Sequence, residues 1–328
     1  MIAGHSPEEY RIITAPSELA DLRAARLPQP FRPPESWRDE RFDWSSGTER
    51  VLRSTHTFPG RALFGFGENV LTLGPPQGDR TSIVFAGTRY DPNPDSVATR
   101  GHILSVGPVR CIEHVLALSA GLGIRFDCSV SRPNIPSFPS LMGPLLNPQQ
   151  PYQLAPHPRS MCAVSAPFGI VFTRRGSSII FDPPADATLT IDHHTAFKDH
   201  SLGQDRIEVA VEPPVMGYLL KARTIAYGWR SSTLRMLERL KLTRAVGLGI
   251  RGEDILMTTR SRLVNPNPAF VSEGRNREAI CHGVIDKLGA LALLRSFLVG
   301  RVTTDRTSHR EDLIAVKLLQ DRVKEVKP

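Results

Sequence analysis

Cysteine is scarce in this chain, and the four that are present, Cys111, Cys128, Cys162 and Cys281, show no CxxC spacing. That excludes a disulfide framework and a Cys-rich metal site, and leaves single buried thiols in a reducing compartment. Long apolar runs are also missing. No stretch approaches the roughly 18 uncharged apolar residues that a membrane-spanning helix needs, so no stable membrane insertion is expected. The N-terminus, "MIAGHSPEEYRIITAPSELADL", lacks the basic start and apolar core of a secretory signal, and its early acidic pair argues against a transit peptide. The expected location is the cytoplasm. No Gly-rich βαβ nucleotide signature is found. The net charge of +8 is carried by arginines spread along the chain. With no basic cluster on one helix and no interleaving with aromatics, a nucleic-acid partner is not expected, and the charge points at most to a phosphate-bearing ligand.

What is present is a chain of 328 residues, enough for about two domains with a sizeable core. Residues 1–50 form a separate zone. "RLPQPFRPPESWRDERFDW" is rich in Pro, Arg and acidic residues and has little periodicity, which predicts an arm lying on the core or partly mobile. Short strands are predicted in "RALFGFGENVLTLGPP", "RTSIVFAGTRY" and "HILSVG". "VRCIEHVLALSAGLGIRFDCSV" predicts a helix ending at Gly121 or Gly123 and running into a strand. The Pro-rich "SRPNIPSFPSLMGPLLNPQQPYQLAPHP" is the predicted inter-domain link. Strands resume in "MCAVSAPFGIVFTRRGSSIIFDPP", "ATLTIDHH" and "DRIEVAVEPP"; helix is expected in parts of "VMGYLLKARTIAY" and "STLRMLERLKLTRA", and "EDLIAVKLLQDRVKEV" is expected to close the chain as an amphipathic helix. The predicted fold is α+β, two comparable blocks over residues 51–155 and 156–328.

One segment raises a chemical question. "REAICHGVIDKLGALALL" puts His282 and Asp286 four residues apart in an otherwise apolar helix, so both project from one face. A buried Asp–His pair, a His bonded to a backbone carbonyl and a metal site all fit, since a buried carboxylate costs several kcal/mol unless a cation compensates it. A catalytic zinc takes three protein ligands and keeps a fourth position open. Among the ten histidines, the group His193, His194 and His200 in "DHHTAFKDH" is expected in a loop that does not hold the rings in place. His114 is better placed. It opens an apolar helix beside Glu113, which lies about 100° around the axis, so the imidazole could ligate a metal while the carboxylate faces the reacting water as a general base.

These residues lie within four motifs, "IEHVLALSAGLGI", "KARTIAYG", "HGVIDKLGAL" and "SHREDLIAVKLL". In this order and register the chain resembles the zinc-dependent UDP-3-O-acyl-N-acetylglucosamine deacetylases of lipid A biosynthesis, from about residue 55 to the C-terminus. The resemblance implies two similar domains, each a β-sheet with packed helices, whose helical layers face each other in a sandwich with the active site at the junction. It implies Zn2+ held by His114, His282 and Asp286, with Glu113 as general base, Thr224 as a hydroxyl holding the oxyanion, and His309 as general acid or electrostatic partner. The implied substrate is an acylated UDP-amino-sugar, and the chain is expected to act as a monomer. Two positions depart from the family. Gly283 stands where a Lys usually follows the ligand His, and Ala290 stands where a second Asp usually lies one turn past the ligand Asp, behind His309. "GFGENVLTLGPP" also lacks the family's histidine, and "RPNIPSFPSLMG" its acidic turn. The expected activity is deacetylation of UDP-3-O-acyl-N-acetylglucosamine; the alternatives are deacetylation of another N-acetyl sugar, or a catalytically weak paralogue with a binding or regulatory role.

Overall fold

A computed structural model describes residues 9–25, 27–45, 47–60, 69–100, 103–136, 154–197, 202–226, 232–234, 236–237, 254–259 and 261–326. Most of "STLRMLERLKLTRA", the middle of the Pro-rich link and His200 lie outside them. The fold is α+β with several mixed sheets and packed helices.

The largest sheet has six strands in the order Tyr10–Ile13, Phe168–Phe172, Ser177–Asp182, Gly300–Asp305, Leu189–Ala196 and Gln204–Ala210. Its neighbours are antiparallel except Leu189–Ala196 beside Gly300–Asp305, which is parallel. A five-stranded sheet runs His56–Gly60, Asn69–Gly74, Asp127–Val130, Ser82–Phe85 and Thr88–Tyr90, again with one parallel pair, Asp127–Val130 on Ser82–Phe85. Its last two strands are joined through Ala86 and Gly87, both at positive φ, 50° and 77°, the geometry that matches the twist of a two-residue hairpin.

Among the described residues, five helices have defined bounds: α1 (Pro16–Arg23), α2 (Ile112–Leu122), α3 (Pro213–Leu219), α4 (Glu278–Leu291) and α5 (His309–Gln320). Helix α2 is apolar around most of its circumference and buries Ile112, Val115, Leu116, Leu118 and Leu122, as expected of a helix enclosed on all sides. It stops at Gly123, whose φ of 62° is the left-handed geometry that ends a helix. Helix α5 begins with a capping box, in which Ser308 and Glu311 satisfy each other's main-chain donors. One continuous apolar core includes Leu71 and Ile83 of the five-stranded sheet, Val115 and Leu118 of α2, Ile285 and Leu288 of α4, and Phe181, Ile191 and Val302 of the six-stranded sheet.

The N-terminal zone is built into this core. Tyr10–Ile13 supplies an edge strand to the six-stranded sheet, Phe31 bridges to Ile207, and Trp37 and Phe42 are buried. Two expectations from the sequence are corrected. His193 and His194 lie in the strand Leu189–Ala196 and are buried there, because the Nδ1 atom of each ring finds a partner, Thr304 and Asp305 respectively, on the adjacent strand. The C-terminal helix ends at Gln320, and "VKEV" becomes the strand Val323–Val326 paired with Met161–Val164, whose main chain supplies the hydrogen-bond partners that a continued helix would otherwise provide. The four cysteines are buried and free, as expected. No helix among the described residues is long and apolar enough to cross a membrane.

Candidate metal centre

Helices α2 and α4 bring the proposed ligands together because their backbones come unusually close. A Cβ built on Gly289 of α4 would lie 2.4 Å from the Glu113 carbonyl oxygen and 2.9 Å from the Glu113 Cα, so no larger residue fits without moving α2. That approach sets Glu113 and His114, in the first turn of α2, opposite His282 and Asp286 of α4. One ligand atom from each of His114, His282 and Asp286 lies within 4.8 Å of the others. The two imidazoles meet edge to face, with centroids 5.6 Å apart at 80°. His282 Nε2 is 3.5 Å from Asp286 Oδ1, the pairing expected of positions i and i+4.

Backbone groups fix the rings. His282 Nδ1 is 3.2 Å from the Ala222 carbonyl, and His114 also hydrogen bonds to the main chain of Pro136, whose carbonyl is its acceptor. An imidazole N–H given to a backbone carbonyl orients the other nitrogen toward a cation, which is how metal-ligating histidines are usually held. Burial lowers the pKa of His114 to about 3, with His282 adding to the shift, so this ring is neutral and able to ligate. Burial works to raise the Asp286 pKa, but His282, His309 and His114 together hold it below the usual value. Glu113 is pushed to about 8 by burial and by repulsion from Asp286, despite a 2.9 Å hydrogen bond from the Leu104 N–H. Two carboxyl groups whose charges would repel at one buried point, beside the neutral His114 ring, form a donor set that fits a divalent cation.

The remaining predicted residues gather on the same point. Thr224 begins the short strand Thr224–Ala226, and its Oγ1 is 3.2 Å from His282 Nε2. The preceding Arg223 donates through its main chain, Nε and Nη2 to the fully buried Glu278 in the first turn of α4, which ties this strand to the ligand helix. His309 is the first residue of α5, with Nε2 3.8 Å from Asp286 Oδ2. Backbone strain sits beside the site: Cys111, immediately before α2, has a φ of 62°, a conformation that costs a non-glycine residue roughly 1–2 kcal/mol.

His193 and His194 do not join the cluster. Adjacent residues of a strand point to opposite faces; His193 bonds to Thr304 and its Nε2 fills the space beside Gly283, while His194 bonds to Asp305. Sequence reading missed two buried charges next to the site, Lys287 and Asp312, whose ammonium and carboxylate are 2.7 Å apart. The signal was a lysine and an aspartate on the apolar faces of two predicted helices. A cleft of about 760 Å3 follows the C-terminal halves of α2 and α4 and is lined by none of the six predicted residues. The convergence of ligands therefore locates the chemistry better than cavity size does.

The sequence comparison agrees with this geometry. A family profile for UDP-3-O-acyl N-acetylglycosamine deacetylase (LpxC) matches residues 49–321. The chain belongs to the LpxC family. No curated protein matches the chain. Family membership and the His/His/Asp cluster together make the protein a zinc-dependent hydrolase of the deacetylase type.

Proposed function

We propose that the chain removes the acetyl group from UDP-3-O-acyl-N-acetylglucosamine, with His114, His282 and Asp286 holding Zn2+. The observation that carries this reading is the meeting of three ligand atoms within 4.8 Å beside the buried carboxyl of Glu113. When bound, zinc supplies a Lewis acid that makes water nucleophilic near neutral pH and polarises an amide carbonyl. Glu113 would act as the general base: its carboxyl is held by the Leu104 N–H and lies near enough to Asp286 to feel its charge. Glu113 is pushed up to about 8 by burial and then by repulsion from Asp286, and a divalent cation held by the three ligands would offset both. The Thr224 hydroxyl donates to the oxyanion as the carbonyl becomes tetrahedral. His309 stands on the other side of Asp286, where its imidazole passes a proton to the leaving nitrogen. The products are acetate and a free amino sugar.

The test is metal content together with acetate release from UDP-3-O-acyl-N-acetylglucosamine, with wild type and Glu113→Ala side by side. About one zinc per chain, with turnover lost on chelation and in Glu113→Ala, is the expected result. Zinc without acetate release would refute the substrate assignment. A second reading keeps the catalyst and changes the sugar. It is favoured by Gly283, where a Cβ would come within 2.4 Å of His193 Nε2: the packing leaves no room for the lysine usual in the family. Faster acetate release from a different N-acetylated sugar would select that reading.

A further inference from the structure

Lys287 directly follows the ligand Asp286 on α4, yet its side chain is buried. A lysine with a free choice extends its flexible stem until the ammonium reaches water. This one instead donates to Asp312 Oδ2 at 2.7 Å and to the Thr307 carbonyl at 3.0 Å. Thr307 lies two residues before His309, and Asp312 three residues after it on the first turn of α5. A single ammonium on the metal-ligand helix therefore grips the chain on both sides of His309. From the other side, the capping box fixes Ser308 to Glu311, and Glu311 accepts a hydrogen bond from Ser177 Oγ of the six-stranded sheet.

Stability alone does not explain this pair. Two buried charges give up their hydration, and apolar residues of similar volume commonly hold two helices together as well or better. What the pair adds is directional: a short bond of defined length between α4 and α5 at the level of His309. His309 and Asp312 share one face of α5, being three residues apart. The His309 Nδ1 and the Asp312 Oδ1 are both buried without a hydrogen-bond partner among the described residues.

We propose that the Lys287–Asp312 pair is a positioning device for His309, setting its height and ring orientation against Asp286 so that Nε2 faces the metal cluster. The pair touches neither ligand atoms nor substrate and acts through His309. The inference rests on the catalytic assignment of His309 given above.

The test is a mutant cycle on the zinc-loaded enzyme with UDP-3-O-acyl-N-acetylglucosamine as substrate. It compares wild type, His309→Ala, the paired Lys287→Met/Asp312→Leu variant, and the triple variant. The paired change removes both charges together, so no buried ion is stranded. Expected are unchanged zinc content, a melting temperature near wild type, KM within about twofold and kcat lowered about 10- to 100-fold, the usual loss when an orienting partner is removed. In the His309→Ala background the paired change should cost no further activity. Wild-type kcat in the paired variant, or a loss that multiplies with that of His309→Ala, would overturn the positioning role. Full activity in His309→Ala would instead overturn the assignment of His309 itself, and the positioning role with it. Should the paired variant not fold, the isosteric Asp312→Asn carries the same cycle: it strands the buried Lys287 charge and lowers the melting temperature, so zinc content, KM and kcat are compared, with the same expectations for those three.

Discussion

Gly289→Ala is a single methyl group placed where two backbones meet. Its Cβ would lie 2.4 Å from the Glu113 carbonyl oxygen and 2.9 Å from both the carbonyl carbon and Cα of the same residue. None of these atoms is the free end of a side chain, so the only relief is for α2 and α4 to part by about 1 Å, the shortfall from ordinary contact. The moving segment is the first turn of α2, which carries Glu113 and His114, while His282 and Asp286 stay with α4. Overpacking of this kind costs about 1–3 kcal/mol, partly offset by the better helix propensity of Ala, worth about 1 kcal/mol. The larger effect is on the metal centre, where a misplacement of about 1 Å is enough for roughly a 100-fold loss in rate. The assay is zinc affinity by competition with a chromophoric chelator, read beside urea denaturation and acetate release. Gly121→Ala is the control in the same helix pair. Its Cβ would meet Leu288 Cδ2, Met216 Cβ and Met216 Cε at 3.1–3.3 Å, contacts a few tenths of an ångström too tight and none of them with the Glu113 backbone, so zinc affinity should stay near wild type. Wild-type zinc affinity and turnover in Gly289→Ala would refute the claim that this close approach assembles the site.

Two further predictions concern buried charge. In Arg223→Met the fully buried Glu278 loses its guanidinium partner, and urea denaturation should show a loss of about 3–5 kcal/mol, much of it recovered in Arg223→Met/Glu278→Leu; a loss under about 1 kcal/mol would contradict the strand-anchoring role given to this pair. Asp192 is buried on the six-stranded sheet, where burial works to raise its pKa but hydrogen bonds from Arg206 and Arg301 hold it lower than usual. Its folded pKa thus lies below the unfolded value of about 3.9, so its contribution is full above that pH and is lost as pH falls through the folded pKa. Asp192→Asn should therefore be destabilised at pH 7, and the gap to wild type should narrow on acidification; a gap constant with pH would refute the assignment.

The sequence determined what depends on neighbours along the chain. Helix α2 and its stop at one of two glycines, the strands around it, the pairing of His282 with Asp286 at one helical turn, and the buried single cysteines are consequences of local spacing and composition. So was the choice of His114, since it rested on an imidazole and a carboxylate opening one apolar helix. Local spacing misled where partners were distant: His193 and His194 look like loop residues until Thr304 and Asp305 arrive on the adjacent strand, and "VKEV" looks like helix until Met161–Val164 pairs with it. Only the tertiary structure decided that α2 and α4 cross at Gly289, that His309 on a third helix comes within 3.8 Å of Asp286, and that Lys287 turns inward to Asp312. The physical reason is that helical periodicity says which residues share a face, whereas the meeting of two faces depends on how closely their backbones can approach and on whether each buried charge finds its counterpart.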